Sequence, residues 1–269
     1  MLNKQELKAR IEEIRKKLTN NSISVKEEIE KLKQDMPATL FLIPVTLGDT
    51  PIARSVPPYN SEIIRSLQYF IVENVRSARR FLKQTDPAIA MDALTFYTLN
   101  QHTTREELAG FLDPLQKGHS MGLLSEAGCP AVADPGADIV ALAQQKGIPV
   151  RPLVGPSSIL LALMASGLNG QNFAFLGYLP IDSNQRIKTL KQIEQRIYTN
   201  RQTQLFIETP YRNQKMLQDI LNTCRADTLL CIATDITLPT EEIRTRRIAD
   251  WRKNFPELSK RLCIFAIGV

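Results

Sequence analysis

The sequence predicts an α/β protein made of two α/β domains preceded by a helical extension, and three observations predict it. From Met36 to about Leu153, short apolar runs alternate with amphipathic stretches, the pattern of βα units and a largely parallel sheet. Beyond Val154, strand-like runs follow one another with fewer helical crossovers, the mark of a mixed sheet. The third observation is size: 269 residues at 43% hydrophobic content can bury two ordinary cores. The boundaries drawn this way are 1–35, 36–153 and 154–269.

In residues 1–35, Leu7, Ile11, Ile14 and Leu18 recur at helical spacing, and Ser24 with Glu27 forms a capping box for a second short helix. This segment reads as a charged helical hairpin appended to the domain, a solvated packing or oligomerisation appendage. The strands of the first domain are expected at 38–44, 69–73, 94–99, 120–124 and 148–153, with Thr104 and Glu107 as a capping pair on one intervening helix. In the second domain "VGPSS" opens a helix. A strand over 172–180, a polar helix to about Asn200 and a strand over 203–208 follow. A helix opened by Thr209 and Pro210 comes next, then strands near 228–234, 242–248 and 261–268.

Composition excludes several classes. The 34 basic and 28 acidic residues leave a net charge of +6, which permits an anionic partner without the excess of a dedicated polyanion-binding tail. Cys129, Cys224, Cys231 and Cys263 occur singly, and the chain has only two histidines, so neither a zinc site nor a disulfide framework is indicated. That usage fits a reducing, cytoplasmic setting. No run of about 18 apolar residues occurs, and a soluble protein with no membrane partner is expected.

The stretch with most chemical content is "LLSEAGCPAVADPG", residues 123–136. Glu126 and Asp134 are costly to bury, Gly128 and Gly136 permit backbone angles other residues avoid, and Pro130 and Pro135 stiffen the path between them. Loops of this kind at strand ends are where α/β proteins hold ligands. Its residues alone also allow a plainer use, a turn whose Asp134 caps the following helix. A Gly-x-Gly-x-x-Gly fingerprint is absent, so an ordinary dinucleotide fold is not supported.

"LFLIPVTLGD", "IVENVR", "LLSEAGCPAVADPG", "VRPLVGPSSILLALMASGL", "FAFLGYLP" and "LFIETPYR" stand in one order and spacing across roughly residues 38–268. In this the chain resembles the tetrapyrrole methylase superfamily of S-adenosylmethionine-dependent methyltransferases. Within it, the chain is most similar to the branch that 2′-O-methylates a cytidine of small-subunit ribosomal RNA. The branch's Ser-Asp-Ala-Gly-Thr-Pro loop and Asp-Pro-Gly element correspond here to Ser125, Glu126, Ala127, Gly128, Cys129, Pro130 and then Asp134, Pro135, Gly136. The resemblance implies two α/β domains with a cofactor cleft between them. It implies S-adenosylmethionine as cofactor, its methionine end received by the 125–134 loop with Val132, and no metal. Pro44 borders the same cleft, and Ser157, Ser158, Leu176, Gly177, Tyr178, Glu208, Ile236 and Leu262 complete the implied cofactor set.

Glu73 and Arg76 stand where the branch has a Glu-Asp-Thr-Arg signature, with Asn74 and Val75 between them. The resemblance makes them the catalytic pair, Glu73 as the base for a ribose hydroxyl. Glu208 and Arg212 match a Glu-Ser-x-x-Arg element and are either substrate-side groups or a helix-start charge pair. Arg212 and His102 are the implied substrate contacts, although Thr103 and Thr104 replace the branch's Asn-Glu after that histidine. Two further departures lie near the C-terminus. Asp235-Ile236-Thr237-Leu238 stands for a Glu-Leu-Thr-Lys element, and Lys260-Arg261 for a Gly-Glu pair before the last strand.

The implied activity is methyl transfer to a ribose of small-subunit ribosomal RNA, by a homodimer. Methylation of a tetrapyrrole-like small molecule, or a catalytically silent cofactor-binding module, are the alternatives. Basic clusters at Arg76, Arg79, Arg80, Lys83 and at Arg244, Arg246, Arg247 favour RNA if both line one rim of the cleft.

Overall fold

The computed structural model describes residues 37–100 and 103–269. The expected N-terminal helices with their Ser24–Glu27 box, and His102, lie outside the described residues. The first five strands are β1 (Leu40–Ile43), β2 (Tyr69–Val72), β3 (Thr95–Thr98), β4 (Met121–Leu124) and β5 (Val150–Pro152). They form a parallel sheet in the order β3-β2-β4-β1-β5.

This order explains where a site can form. The chain leaves β1 in one direction, through α1 (Pro58–Arg65) to β2 and α2 (Val75–Thr85) to β3. It returns through α3 (Arg105–Phe111) and α4 (Asp113–Gln116) to β4, then passes through α5 (Gly136–Gln145) to β5. Right-handed crossovers moving in opposite directions put their helices on opposite faces. Ile64, Ala78, Phe81 and Leu82 of α1 and α2 accordingly pack into one core cluster, and Leu108, Leu115 and Ile139 of α3, α4 and α5, with Leu112 between α3 and α4, into another. Neighbouring β1 and β4 therefore feed loops that diverge, and the crevice at their carboxyl ends is a topological switch point. The Thr104–Glu107 capping box at the start of α3 is present.

The second sheet has the order β6-β7-β10-β8-β9, from β6 (Phe173–Tyr178), β7 (Thr203–Ile207), β8 (Leu229–Thr234), β9 (Glu242–Arg247) and β10 (Cys263–Gly268). Only β6 and β7 are parallel, so the sheet is mixed. α7 (Ser183–Asn200), α8 (Asn213–Thr223) and α9 (Ile248–Lys253) cover one face. α6 (Ser158–Ser166) covers the other, where Leu47 from the loop after β1 joins the same buried cluster as Leu205, Ala233 and Ile264.

One sequence expectation needs correction here, and one helix was not expected. The helix after β7 does not open at Thr209-Pro210. Glu208 Oε1 accepts the Thr209 N–H at 2.7 Å and Arg212 N–H donates to Thr209 O at 2.9 Å, so these residues form a turn and α8 starts at Asn213. The strand expected near 242–248 is present as β9, and it is followed by the helix that was not expected, α9, which buries Ile248 and Trp251 on one face with Trp251 Nε1 donating to Leu230 O at 2.8 Å. Among the described residues no helix is long and apolar enough to cross a membrane.

Candidate functional site

A cavity of about 260 Å³ lies between the carboxyl ends of β1 and β4 and the strand ends of the second sheet. The first sheet contributes Leu47, Ala127, Gly128, Cys129 and Val132 to its wall. Gly128, at φ +72°, turns the chain so that it pairs with the loop after β1. Val45 N–H donates to Gly128 O at 2.9 Å, and Gly128 N–H to Val45 O at 3.0 Å. Ser125 Oγ donates to the carbonyls of Ala127 (3.3 Å) and Gly128 (3.2 Å). Asp134 accepts the N–H groups of Ala131 (2.9 Å) and Gly136 (2.8 Å), which secures Ala131 and Ala133 in left-handed conformations and caps the start of α5.

Ser125, Pro130 and Asp134 thus stand behind the wall instead of in it, because their polar groups or bulk are used to shape the loop. The plainer reading of Asp134, as a cap, describes its hydrogen bonds. Burial raises the Asp134 pKa above the usual carboxylate range, against the lowering effect of its two N–H donors.

Glu73 sits at the end of β2 and does not line the cavity. Its Oε1 accepts the Glu126 N–H at 3.3 Å, one residue from the wall residue Ala127. Burial raises its pKa, the Glu126 amide opposes that, and the charges of Asp134 and Glu126 raise it further. Glu126 itself points to solvent, where Ser77 Oγ donates to its Oε1 at 2.7 Å. Arg76 is exposed in the first turn of α2, whose cap is Asn74, accepting the Arg76 N–H at 2.8 Å. The Asn that replaces the branch's Asp therefore has a local structural use.

From the second half, Tyr178 closes the end of β6, and Ser157 and Ser158 stand at the start of α6, Ser157 as its N-cap. Leu176 packs into the core behind the sheet, and Gly177 lies in the β6 bulge at φ +65°; neither reaches the cavity. Pro44 packs against Gly155 at the junction of the two halves. Glu208, its side chain 1% exposed, lines the cavity and is paired with Arg212 through Nε at 2.9 Å and Nη2 at 2.6 Å. Arg212 is thereby held outside the cavity as one half of a charge pair.

The wall also includes residues that sequence reasoning missed: Ile159, Ile207, Thr209, Pro210, Ala233, Cys263 and Ile264. They flank positions that were singled out, at strand ends and a helix start, and only the topology brings those ends together. Cys129 and Cys263 both face the cavity. Burial raises the Cys129 thiol and pushes Cys263 up to about 12, so neither supplies a thiolate nucleophile near neutral pH.

The two basic clusters do not form one rim. Arg246 and Arg247 pair in register with Leu230 and Leu229, at the end of β8 remote from Ala233 and the cavity. Arg246 also stacks over Trp251 and Arg244 pairs with Glu242 at 2.7 Å. On α2, Arg79 lies over Phe96, and Lys83 donates to the carbonyls of Pro87 and Ile89, both at 2.8 Å. Arg76, Arg79 and Arg80 are all exposed, Arg76 in the first turn of that helix.

No family model matches the chain. It is similar to ribosomal RNA small subunit methyltransferase I of Streptococcus pyogenes serotype M6, with 30% identity over 214 residues, 79% of this chain and 69% of that relative. Its match to the protein of the same name from Vibrio cholerae is 29% over 211 residues, 78% and 69% of the two chains. With the Halalkalibacterium halodurans protein it is 30% over 189 residues, 70% of this chain and 61% of the relative, so there the match spans less than two thirds of the relative. Among solved structures, the methyltransferase CobJ superposes with a TM-score of 0.58 at 16% identity, over 86% of this chain and 93% of CobJ. The cobalt precorrin-4 methyltransferase CbiF gives 0.54 at 14% identity, over 86% and 94%. These two share the fold.

Proposed function

The chain belongs to the ribosomal RNA small subunit methyltransferase I family, and on that premise we propose that it methylates a ribose 2′-oxygen of small-subunit ribosomal RNA, using S-adenosylmethionine held in the cavity between its two sheets. The observation that carries the reading is that residues of the family-like motifs, Ala127, Gly128, Cys129, Ser157, Ser158 and Tyr178, come together around one cavity from both halves of the chain.

The donor set fits this cofactor. The 127–129 turn and the hydroxyls at the start of α6 offer hydrogen-bond partners to an amino-acid end, and the α6 N-terminus favours its carboxylate. Glu208 inside the cavity, and Glu73, Glu126 and Asp134 beside it, favour a cation. Ile207, Ala233, Ile236, Leu262 and Ile264 supply an apolar slot for a flat base. When bound, the cofactor supplies an electrophilic methyl group. The chain's own contribution is to hold the acceptor in line, which accounts for most of the catalysis in such a displacement. Glu73 takes the proton from the acceptor hydroxyl, and its raised pKa makes it a stronger base than an ordinary carboxylate. Arg76, exposed one turn away, offers a phosphate contact.

The cavity opens to solvent at the surface, and the proposed RNA acceptor approaches from that open side. The second copy of a homodimer would cover the face of α6 where Leu160 and Met164, one turn apart, are 51% and 78% exposed. Met164→Glu would then shift the sedimentation profile toward a monomer. The cytoplasm, where small subunits mature, is the proposed location. The decisive experiment offers labelled S-adenosylmethionine and small subunits from a strain that lacks the chain. Label in one ribose of the ribosomal RNA supports the reading; failure on subunits and on naked RNA alike removes it.

A further inference from the structure

The two C-terminal segments that depart from the branch pattern, 235–238 and 260–261, meet in space and bond to each other. Arg261 Nε donates to Asp235 Oδ2 at 2.8 Å and its Nη2 donates to Thr240 O at 2.6 Å, while Nη1 lies 3.4 Å from Glu242 Oε2. Asp235 accepts in addition from Thr240 Oγ1 at 3.0 Å and from Leu262 N–H at 3.2 Å, and its own N–H donates to Leu262 O at 2.9 Å. One guanidinium thus ties the β8–β9 turn to the start of β10.

This turn carries stored backbone strain. Asp235, Thr237 and Lys260 have φ of +51°, +73° and +64°, a left-handed region that a β-branched residue such as Thr237 rarely adopts. Thr237 N–H donates to Glu241 Oε2 at 2.6 Å, whereas its Oγ1 is buried with no partner. Strain of this kind persists only where surrounding contacts over-determine the conformation.

The product of that conformation is a piece of the cavity. Ile236, between the two strained residues, lines it, as does Leu262 beside Arg261. Leu238 reaches across to the first half, so close to Gly48 that a Cβ there would lie 2.7 Å from Leu238 Cδ2. Arg261 itself lies outside the cavity, 26% exposed at the side chain.

We propose that Arg261 is a positioning residue for cofactor binding: it clamps the 235–242 turn so that Ile236 and Leu262 form one wall of the cavity and Leu238 seals that wall against the loop after β1. On this view the two departures are one coupled change. Asp235 keeps the acidic character of the branch's Glu, while a basic Arg261 stands for the branch's Glu and an apolar Leu238 for its Lys: Arg261 holds the turn and Leu238 makes the contact to the first half. The inference rests on the cofactor reading above for its ligand, but the clamp itself is tested without one.

The experiment compares the full chain with Arg261→Ala, Arg261→Lys and Asp235→Asn. Hydrogen exchange is read at the 235–242 segment, and calorimetry measures affinity for S-adenosylhomocysteine. Arg261→Ala should speed exchange at the Thr237, Leu238 and Leu262 amides and weaken binding about tenfold. Arg261→Lys should recover part of that loss. In turnover, the KM for the cofactor should rise while kcat stays within a few-fold. Asp235→Asn keeps the side chain's shape and should give a smaller loss in the same direction, which preserves the test if Arg261→Ala fails to fold. Unchanged exchange in the variants overturns the clamp. Faster exchange with wild-type affinity overturns its role in the site. If the wild-type chain binds no cofactor, the functional reading fails, and with it the role assigned to the clamp.

Discussion

The two halves of the molecule build their walls of the cavity by different means. The first uses main chain: a left-handed Gly128, a carboxylate that gathers its own loop's N–H groups, and prolines that stiffen the path. The second uses side-chain charge pairs, Glu208 with Arg212 and Asp235 with Arg261, to hold segments that no glycine eases. A main-chain wall presents fixed donors suited to recognising a polar group, whereas a wall hung on ion pairs presents apolar side chains and depends on charge for its shape.

Changes chosen to separate chemistry from architecture test that contrast first. Glu73→Gln should lower methyl transfer by about 10²–10⁴-fold while leaving cofactor affinity close to wild type. Since the Glu73 pKa is raised in the fold, wild-type kcat should fall as pH drops through a value above the ordinary carboxylate range. The folded state binds more protons at Glu73 than the unfolded state in the window between the two pKa values. Stability therefore declines as pH rises through that window, and the Gln variant should melt no lower than wild type at neutral pH. A Glu73→Gln protein with full activity would remove the residue from the mechanism.

The second wall should break hardest at its charge pair. Arg212→Ala leaves a carboxylate with a side chain only 1% exposed and no cation beside it, which should cost about 3 kcal/mol in chemical denaturation. Replacing both partners, Glu208→Gln with Arg212→Met, should cost less than the single change. On the first wall, Asp134→Ala frees the Ala131 and Gly136 N–H groups and should cost about 1–3 kcal/mol, with weaker cofactor binding measured by calorimetry. If Asp134→Ala proves more damaging than Arg212→Ala, the contrast between the walls is wrong. The smallest effect is expected at the surface: Arg80→Ala should reduce the salt dependence of RNA binding by about one phosphate contact and leave stability unchanged.

The same contrast explains what could be read from the sequence. Apolar runs announce most of the strands of the two sheets, because period and length are local properties, whereas β9 (EIRTRR) carries a single apolar residue. Gly128, Pro130 and Asp134 mark the first wall for the same reason: their backbone chemistry is written in the residue type. The Arg261–Asp235 clamp joins residues 26 positions apart, and the left-handed Thr237 has nothing in its identity to announce it. The motif makes Leu176, Gly177 and Tyr178 implied cofactor contacts, but of the three only Tyr178 lines the cavity, the register of β6 shifting between Phe175 and Tyr178. α9 escaped notice since its six residues bury only Ile248 and Trp251, too few to show a period.

Leu47 belongs by sequence to the first sheet's loop and by packing to the second sheet's core, 9% exposed beside Leu205, Ala233 and Ile264. One leucine of the first half thus completes a core cluster of the second: severed near residue 154, the C-terminal fragment would lack that side chain and the N-terminal fragment would expose it. Such fragments should be poor folders alone and mutual templates when mixed. The intact chain should melt in a single cooperative transition, with each half acting as the other's chaperone.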